Sequence, residues 1–423
     1  MLPSRKHIYI YQQFLVLSVK RRALLSTVVV GASTLSGCLS MFLSSHSDRP
    51  LPEEPTGEWT QYGVDGANTF SPDVSAPANG NLAWTSDAFT RWQPVVSDGT
   101  VYMTNFDSSR DGSAIALDAQ DGTEQWRTTL GGSESPGSVF VDDLFIVAYE
   151  TELVALDSQT GEQVWTKTTN GLDHPELLVA EESTGTVLIA SDTAIEAFEA
   201  ATGEKRWETN TVRDIFPAPA VYDGRVFAVG EVDEAPYLVA LSMEDGSEHW
   251  RTELTAAPES AAPVVTEDGI FVDDNRTLII YDRETGDQLR QLYSFDNDSY
   301  DVYRTVAVDD GTVFVSGDSG AVAIDSETGT ERWHRDTQAD EAGLCVGTET
   351  VVFPVKTPEF APDKKTISAF DRESGEMRWY YGFDPGFHNS VTSQPVLVDG
   401  AVFFTSNRID ALGAIGDVPA QDS

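Results

Sequence analysis

The chain of 423 residues carries 69 Asp and Glu against 27 Lys and Arg, a formal charge of −42. With roughly one uncompensated negative charge every ten residues, its surface repels phosphate backbones, which excludes nucleic acid as a partner. Hydrophobic residues at 40%, aromatics at 10% and nine Trp supply a large core and exclude a disordered polyelectrolyte, while two Cys exclude a disulfide-dense scaffold.

Reading from the N-terminus, Lys20-Arg21-Arg22 precede the apolar, small-residue run Ala23–Gly37, which ends in Leu35-Ser36-Gly37-Cys38. A charged start, a short apolar stretch and a small residue before the cut spell an export signal, too short for an ordinary membrane span. Arg21 and Arg22 resemble a twin-arginine (Tat) signal, and Leu35–Cys38 resembles a lipobox. That resemblance implies that Cys38 becomes the lipidated first residue and holds the chain to membrane lipid. A plain N-terminal anchor helix is the competing reading, kept open by the upstream apolar stretch Ile8–Val19. A translation start at Val19 would remove that stretch. Cleavage before Cys38 removes five basic and no acidic residues, leaving a charge of −47. Residues 1–38 are therefore expected as the signal and 39–58 as a short tether.

A repeated unit follows. Ala116-Leu117-Asp118 runs through Gly122 to Trp126, and the pattern returns with Trp165, Trp207, Trp250, Trp333 and Trp379. In the fifth copy, Ile280-Tyr281-Asp282 and Gly286 lead to Arg290 where the others have Trp. The spacing averages about 42 residues, a propeller-blade period. The Asp side chain can cap the bend, Gly supplies the positive φ, and Trp fills the wedge between neighbouring sheets. Second turn signals, Asp98-Gly99 and Asp223-Gly224 among them, add another hairpin per unit. Gly80-Asn81-Leu82-Ala83-Trp84 is a half-unit without a beginning, and residues 401–412 are a half-unit without a Trp. Together they predict an all-β, eight-bladed β-propeller of four-stranded antiparallel blades, with an N-terminal strand closing the last blade. The propeller is expected over 59–412, followed by a tail, 413–423.

These repeats, with the lead-in Trp59-Thr60-Gln61-Tyr62-Gly63 and Asp65, Asn68 and Ser71-Pro72, resemble the pyrroloquinoline-quinone-like (PQQ-like) propeller family and its tryptophan docking motif. The resemblance implies a structural role for Trp84, Trp126, Trp165, Trp207, Trp250, Trp333 and Trp379. One branch of the family comprises PQQ- and Ca²⁺-dependent alcohol and sugar dehydrogenases; the other resembles the propeller lipoprotein of the bacterial outer-membrane assembly machine. Blades near the minimal length, no adjacent cysteines and no residues matching the dehydrogenases' base or Ca²⁺ ligands favour the second branch, with no catalytic residue, no metal and no cofactor. PQQ with Ca²⁺ is the alternative, and capture of a small extracellular ligand a third reading.

The acidic, Lys-poor composition also resembles that of proteins from salt-loving archaea, a haloarchaeal lipoprotein type. The expected working surface is the face carrying Arg91, Trp92, Arg213, Phe216, Tyr303, Arg304 and His388, basic and aromatic loops on an acidic protein. A protein partner at the outer face of the cytoplasmic membrane, met by a monomer, is the expectation. The segment 356–365 is a second contact candidate. Asp296, Asp298 and Asp301 form a loop cluster, Asn275 and Asn297 begin glycosylation sequons, and Cys345 is expected to be a buried free thiol.

Overall fold

The turns fold as their residues dictate. Asp157 Oδ1 accepts the N–H groups of Gln159 and Thr160 and the Thr160 hydroxyl, and the Gly161 N–H closes the bend on Asp157 O at 2.8 Å. The seven motif glycines from Gly122 to Gly375 all take φ of 67–75°, a conformation a side chain would strain. Asp98-Gly99, Asp223-Gly224 and Asp310-Gly311 each carry two successive positive φ values, the tight hairpin turns that match strand twist.

A computed structural model describes residues 49–420 apart from 89, 91, 106–111, 132–136, 150, 171–176, 216, 257–260, 275, 296–304, 318–319, 338, 340–342, 357, 384–390, 392 and 407–410. Eight four-stranded antiparallel sheets are built from these residues. Blade 1 comprises Val95–Ser97, Thr100–Asn105, Ser113–Asp118 and Glu124–Thr129. Blades 2 to 7 run over 137–168, 178–209, 220–253, 264–294, 305–335 and 345–383. Blade 8 joins Val396–Val398, Ala401–Ser406 and Ala411–Gly416 to the N-terminal strand Asn81–Ser86, the closure expected from the two half-units. First strands of successive blades lie against one another, so they form the inner ring. Fourth strands such as Glu124–Thr129 bury only their Trp and face solvent elsewhere. Among the described residues no helix is long and apolar enough to cross a membrane. Cys345 is buried and free, and burial pushes its thiol up.

Two boundaries shift from the sequence reading. Residues 49–58, grouped with the tether, lie along the ring: Leu51 is buried and donates to Gln120 O at 2.8 Å, and Thr56 pairs with Asp399. The last strand runs on to Gly416, and Asp417 then accepts the N–H groups of Ala78 and Asn79.

One contact recurs between blades. The indole Nε1 of Trp84, Trp126, Trp165, Trp207, Trp250 and Trp333 donates to a carbonyl in the next blade's Asp-to-Gly turn, and that of Trp379 donates to Pro77 O, all at 2.7–3.2 Å. The six-membered rings pack on the turn glycines, or on Gly80 for Trp379, where a Cβ would lie 2.4–2.7 Å away. Directly across each blade from Trp stands an alanine, from Ala116 opposite Trp126 to Ala414 opposite Trp84. The small residue lets the ring approach the aromatic one strand further in, as in Trp333–Phe314 at 6.1 Å and Trp84–Phe403 at 5.8 Å.

Blade 5 departs from this row. Its Arg290 stands opposite Ile280 rather than Ala, so bulk lost at one position is regained at its partner. Arg290 donates to Ser326 O and Glu327 O, taking over the indole's polar contact. A second irregularity in the strand pairing buries Leu292 in the wedge.

Trp333→Ala should cost about 3–5 kcal/mol of stability and Ala323→Leu about 1–3 kcal/mol by overpacking the same row, both read by thermal unfolding. The Asp371 carboxyl is held down at about 2 by hydrogen bonds from Arg378 and from the Ser374 turn. A depressed folded-state value stabilises above the ordinary carboxylate range and is lost as pH falls toward 2. Asp371→Asn should therefore lower Tm at pH 6, with the difference from wild type shrinking between pH 4 and 2.

Candidate functional site

Inner strands are sheet edges, and their outward N–H groups need acceptors. The lead-in segment supplies them. Trp59 exchanges two 2.8 Å backbone bonds with Val96 of blade 1, and Thr60 O accepts from Phe140 of blade 2. Gln61 spans blade 3 by side chain, accepting the Ala180 N–H at 2.7 Å and donating to Ala180 O at 3.0 Å. Gly66, Ala67, Thr69 and Phe70 then offer carbonyls to Val221, Val265, Val308 and Val346 of blades 4 to 7. Blade 8 is reached from both ends, through Thr56 O to Asp399 N and Ser75 O to Gly400 N. Asn68, fully buried, donates from its amide toward the carbonyls of Pro219 and Pro263, both at 3.2 Å. The segment is thus hydrogen-bonded to all eight inner strands or the turns that follow them.

Beside it opens a basin of about 720 Å³ at the turns of blades 1 to 4. Glu58, Asp65, Asp98, Asp142, Asp143, Glu181, Glu182 and Asp223 line it, without Lys or Arg. The half-buried Asp65 holds its own segment in place, accepting the Thr69 N–H at 3.0 Å and the Thr69 hydroxyl at 2.7 Å. Burial raises its carboxyl above the ordinary carboxylate range, with the Thr69 bonds pulling the other way. Such a basin favours cations and basic side chains and opposes anions. Sequence reasoning placed the working surface elsewhere; acidic residues recurring at first-hairpin turns were the available signal for this one.

Of the expected binding-face residues, Arg91, Phe216, Tyr303, Arg304 and His388 lie outside the described residues, as do Cys38, Arg21 and Arg22, the Asp296–Asp301 cluster, and Asn275 and Asn297. Trp92 and Arg213 are described, and they enter the inner strands of blades 1 and 4. Trp92 is half-buried; its indole N–H and the amide of Gln93 are enclosed without hydrogen-bond partners among the described residues. Arg213 is exposed and its backbone pairs with Glu231 at 3.0 and 2.7 Å. In the segment 356–365 the Phe360 ring rests on Tyr380 at 5.1 Å, which ties that loop to the outer strand of blade 7.

Eight blades, joined at seven of their eight junctions by an interblade indole, with a lead-in segment around the inner ring, define a propeller of the PQQ-repeat class. The chain belongs to the family described as outer membrane protein assembly factor BamB, which matches residues 73–231, 191–299 and 291–418. The serine/threonine-protein kinase AfsK of Streptomyces coelicolor is 29% identical over 157 residues, 35% of this chain and 18% of that protein. The chain thus spans under a fifth of the length of the curated relatives it matches. Among solved structures, BamB from Moraxella catarrhalis is similar with a TM-score of 0.60 at 12% identity, over 80% of this chain and 99% of that one. A europium-containing methanol dehydrogenase is similar with a TM-score of 0.64 at 12% identity, over 84% and 91%.

Asp65→Asn keeps an acceptor for the Thr69 N–H and a donor for its hydroxyl, while removing the buried charge. A raised folded-state value means that stability falls as pH rises through it. The variant should therefore match wild type near pH 4 and melt higher at pH 7, as differential scanning calorimetry would show.

Proposed function

We propose that this chain is a lipid-anchored, protein-binding scaffold, of haloarchaeal lipoprotein type, at the outer face of the cytoplasmic membrane. The observation that carries the reading is the BamB-family match across the whole ring, on blades that stay close to the minimal repeat. A rigid ring presenting many loops on one face suits recognition of another protein better than enclosure of a reaction. Cys38, after its Tat-like signal, supplies the anchor, and a monomer meets its partner through the face that includes Trp92 and Arg213.

The dehydrogenase reading draws on likeness of fold alone. Among the described residues no three His, Cys, Asp or Glu side chains form a group that could hold a metal ion.

Cys38→Ser should move the protein from the membrane to the soluble fraction; a variant that stays bound would refute the lipid anchor. A photo-crosslinker at Arg213 should capture a discrete partner in native membranes, whereas one at Val164 on an outer strand should not. Equal capture from both positions, or from neither, would count against the scaffold.

A further inference from the structure

The junction between blades 5 and 6 lacks the indole that fills the other seven, and a groove of about 640 Å³ opens there. Its walls include Ile280, Leu289 and Arg290 of blade 5 and Ser326, Glu327 and Arg332 of blade 6. These positions correspond to those that enclose a docking Trp elsewhere: the cross-strand partner, the Trp slot itself and the receiving turn. The usual functions of the missing indole are divided between two residues. Arg290 donates to Glu327 O at 2.8 Å and to Ser326 O, the carbonyl equivalent to the one that takes an indole N–H in the other blades. Leu292 covers the glycine end, its carbonyl lying where a Cβ on Gly329 would come within 2.2 Å. The groove opens beside the capped polar end.

Its lining, which also includes Asp268, Gly311 and Asp325, offers an aromatic ring one guanidinium and two aliphatic side chains. Arg290 makes no ion pair among the described residues, and a guanidinium fixed by two carbonyls is a planar cation on which an aromatic ring stacks. Leu289 is 53% exposed, the highest value among the exposed large hydrophobic side chains of the described residues, and lies beside Ile280. Arg332, held by Asp325 at 2.9 Å, stiffens the opposite wall. The volume falls within the roughly 300–1,000 Å³ of small-molecule sites. A neutral ring also avoids the repulsion that a −42 chain imposes on acidic partners, and salt does not screen its apolar contacts.

We propose that the blade 5–6 groove is a docking seat for an aromatic side chain presented by a partner polypeptide, which packs on Arg290 and Leu289 beside the slot that holds a tryptophan at the seven other junctions. The source of the ring rests on the scaffold reading; the affinity of the groove for an aromatic ring does not.

The test uses the full chain and N-acetyl-L-tryptophanamide, followed by saturation-transfer NMR, with N-acetyl-L-leucinamide as the aliphatic control. Wild type should bind the tryptophan probe with a dissociation constant on the order of 1 mM and the leucine probe at least tenfold more weakly. I280A/R290W rebuilds the Ala–Trp row and should lose the probe at least tenfold while unfolding no earlier than wild type. Leu289→Ser, an exposed change that leaves the core alone, should weaken binding several-fold. Absence of transfer to the tryptophan probe in wild type, or equal binding by wild type and both variants, would overturn the seat. Placed at Leu289, a photo-crosslinker should capture the partner through an aromatic residue. If the probe binds but this crosslink is absent or falls on an aliphatic segment, the partner assignment is overturned and the ring site stands alone.

Discussion

An indole packed on a glycine, with its N–H on a carbonyl of the neighbouring blade, joins seven of the eight junctions that turn eight sheets into one ring. A four-stranded sheet has two faces to cover and too little core of its own, so blades must be stable in company. That single contact constrains three residue types. Glycine is needed in the turn because a Cβ would intrude into the ring at 2.4–2.7 Å, and alanine is needed across the strand so that the indole can lie down beside the inner aromatic. Trp379 on Gly80 and Pro77 is the same contact made between the two ends of the repeat, which is why closure needs the N-terminal strand.

The inner edge poses a different problem, and its answer sets the working geometry. Eight first strands turn unpaired N–H groups toward the axis, and residues 56–75 meet them blade by blade, mostly with backbone carbonyls. A backbone acceptor needs no particular side chain, so this segment can bend around the ring. Once it is in place, the turns of blades 1 to 4 stand around it with six carboxylates, the segment adds Glu58 and Asp65, and that side of the ring becomes a cation-favouring surface.

The blade count, the turns and the closure were legible in the sequence because each rests on local chemistry repeated many times. Asp118 and Gly122 announce a turn whatever surrounds them, and Trp126 four residues later can only be a strand residue facing a neighbour. The lead-in Trp59–Ser71 was legible as a family stretch but not as a ring of hydrogen bonds, since its partners lie up to 276 residues away and are backbone groups without a sequence signature. The basin was missed for a related reason. In a chain with 69 acidic residues, eight that converge look like any other eight. The alanine opposite each Trp was visible as the first letter of Ala-Leu-Asp, yet its purpose needs the strand register, which only the paired backbone shows.

Blade 5 shows how far the interblade rule can be bent. Loss of the Trp alone would leave an uncovered glycine, an unsatisfied turn carbonyl and a hole beside alanine. Each deficit is met separately: Leu292 is turned inward by a pairing irregularity, Arg290 caps Ser326 and Glu327, and Ile280 replaces the alanine. Three coordinated departures at one of eight equivalent junctions preserve the stability of the ring without restoring its surface, since Leu289 and the plane of Arg290 are left beside an open groove. In a repeat protein the other blades serve as the control, and here they show that the junction could have been closed by a single tryptophan. That it is instead held together around a gap sets this junction apart from the seven whose structural task an indole completes.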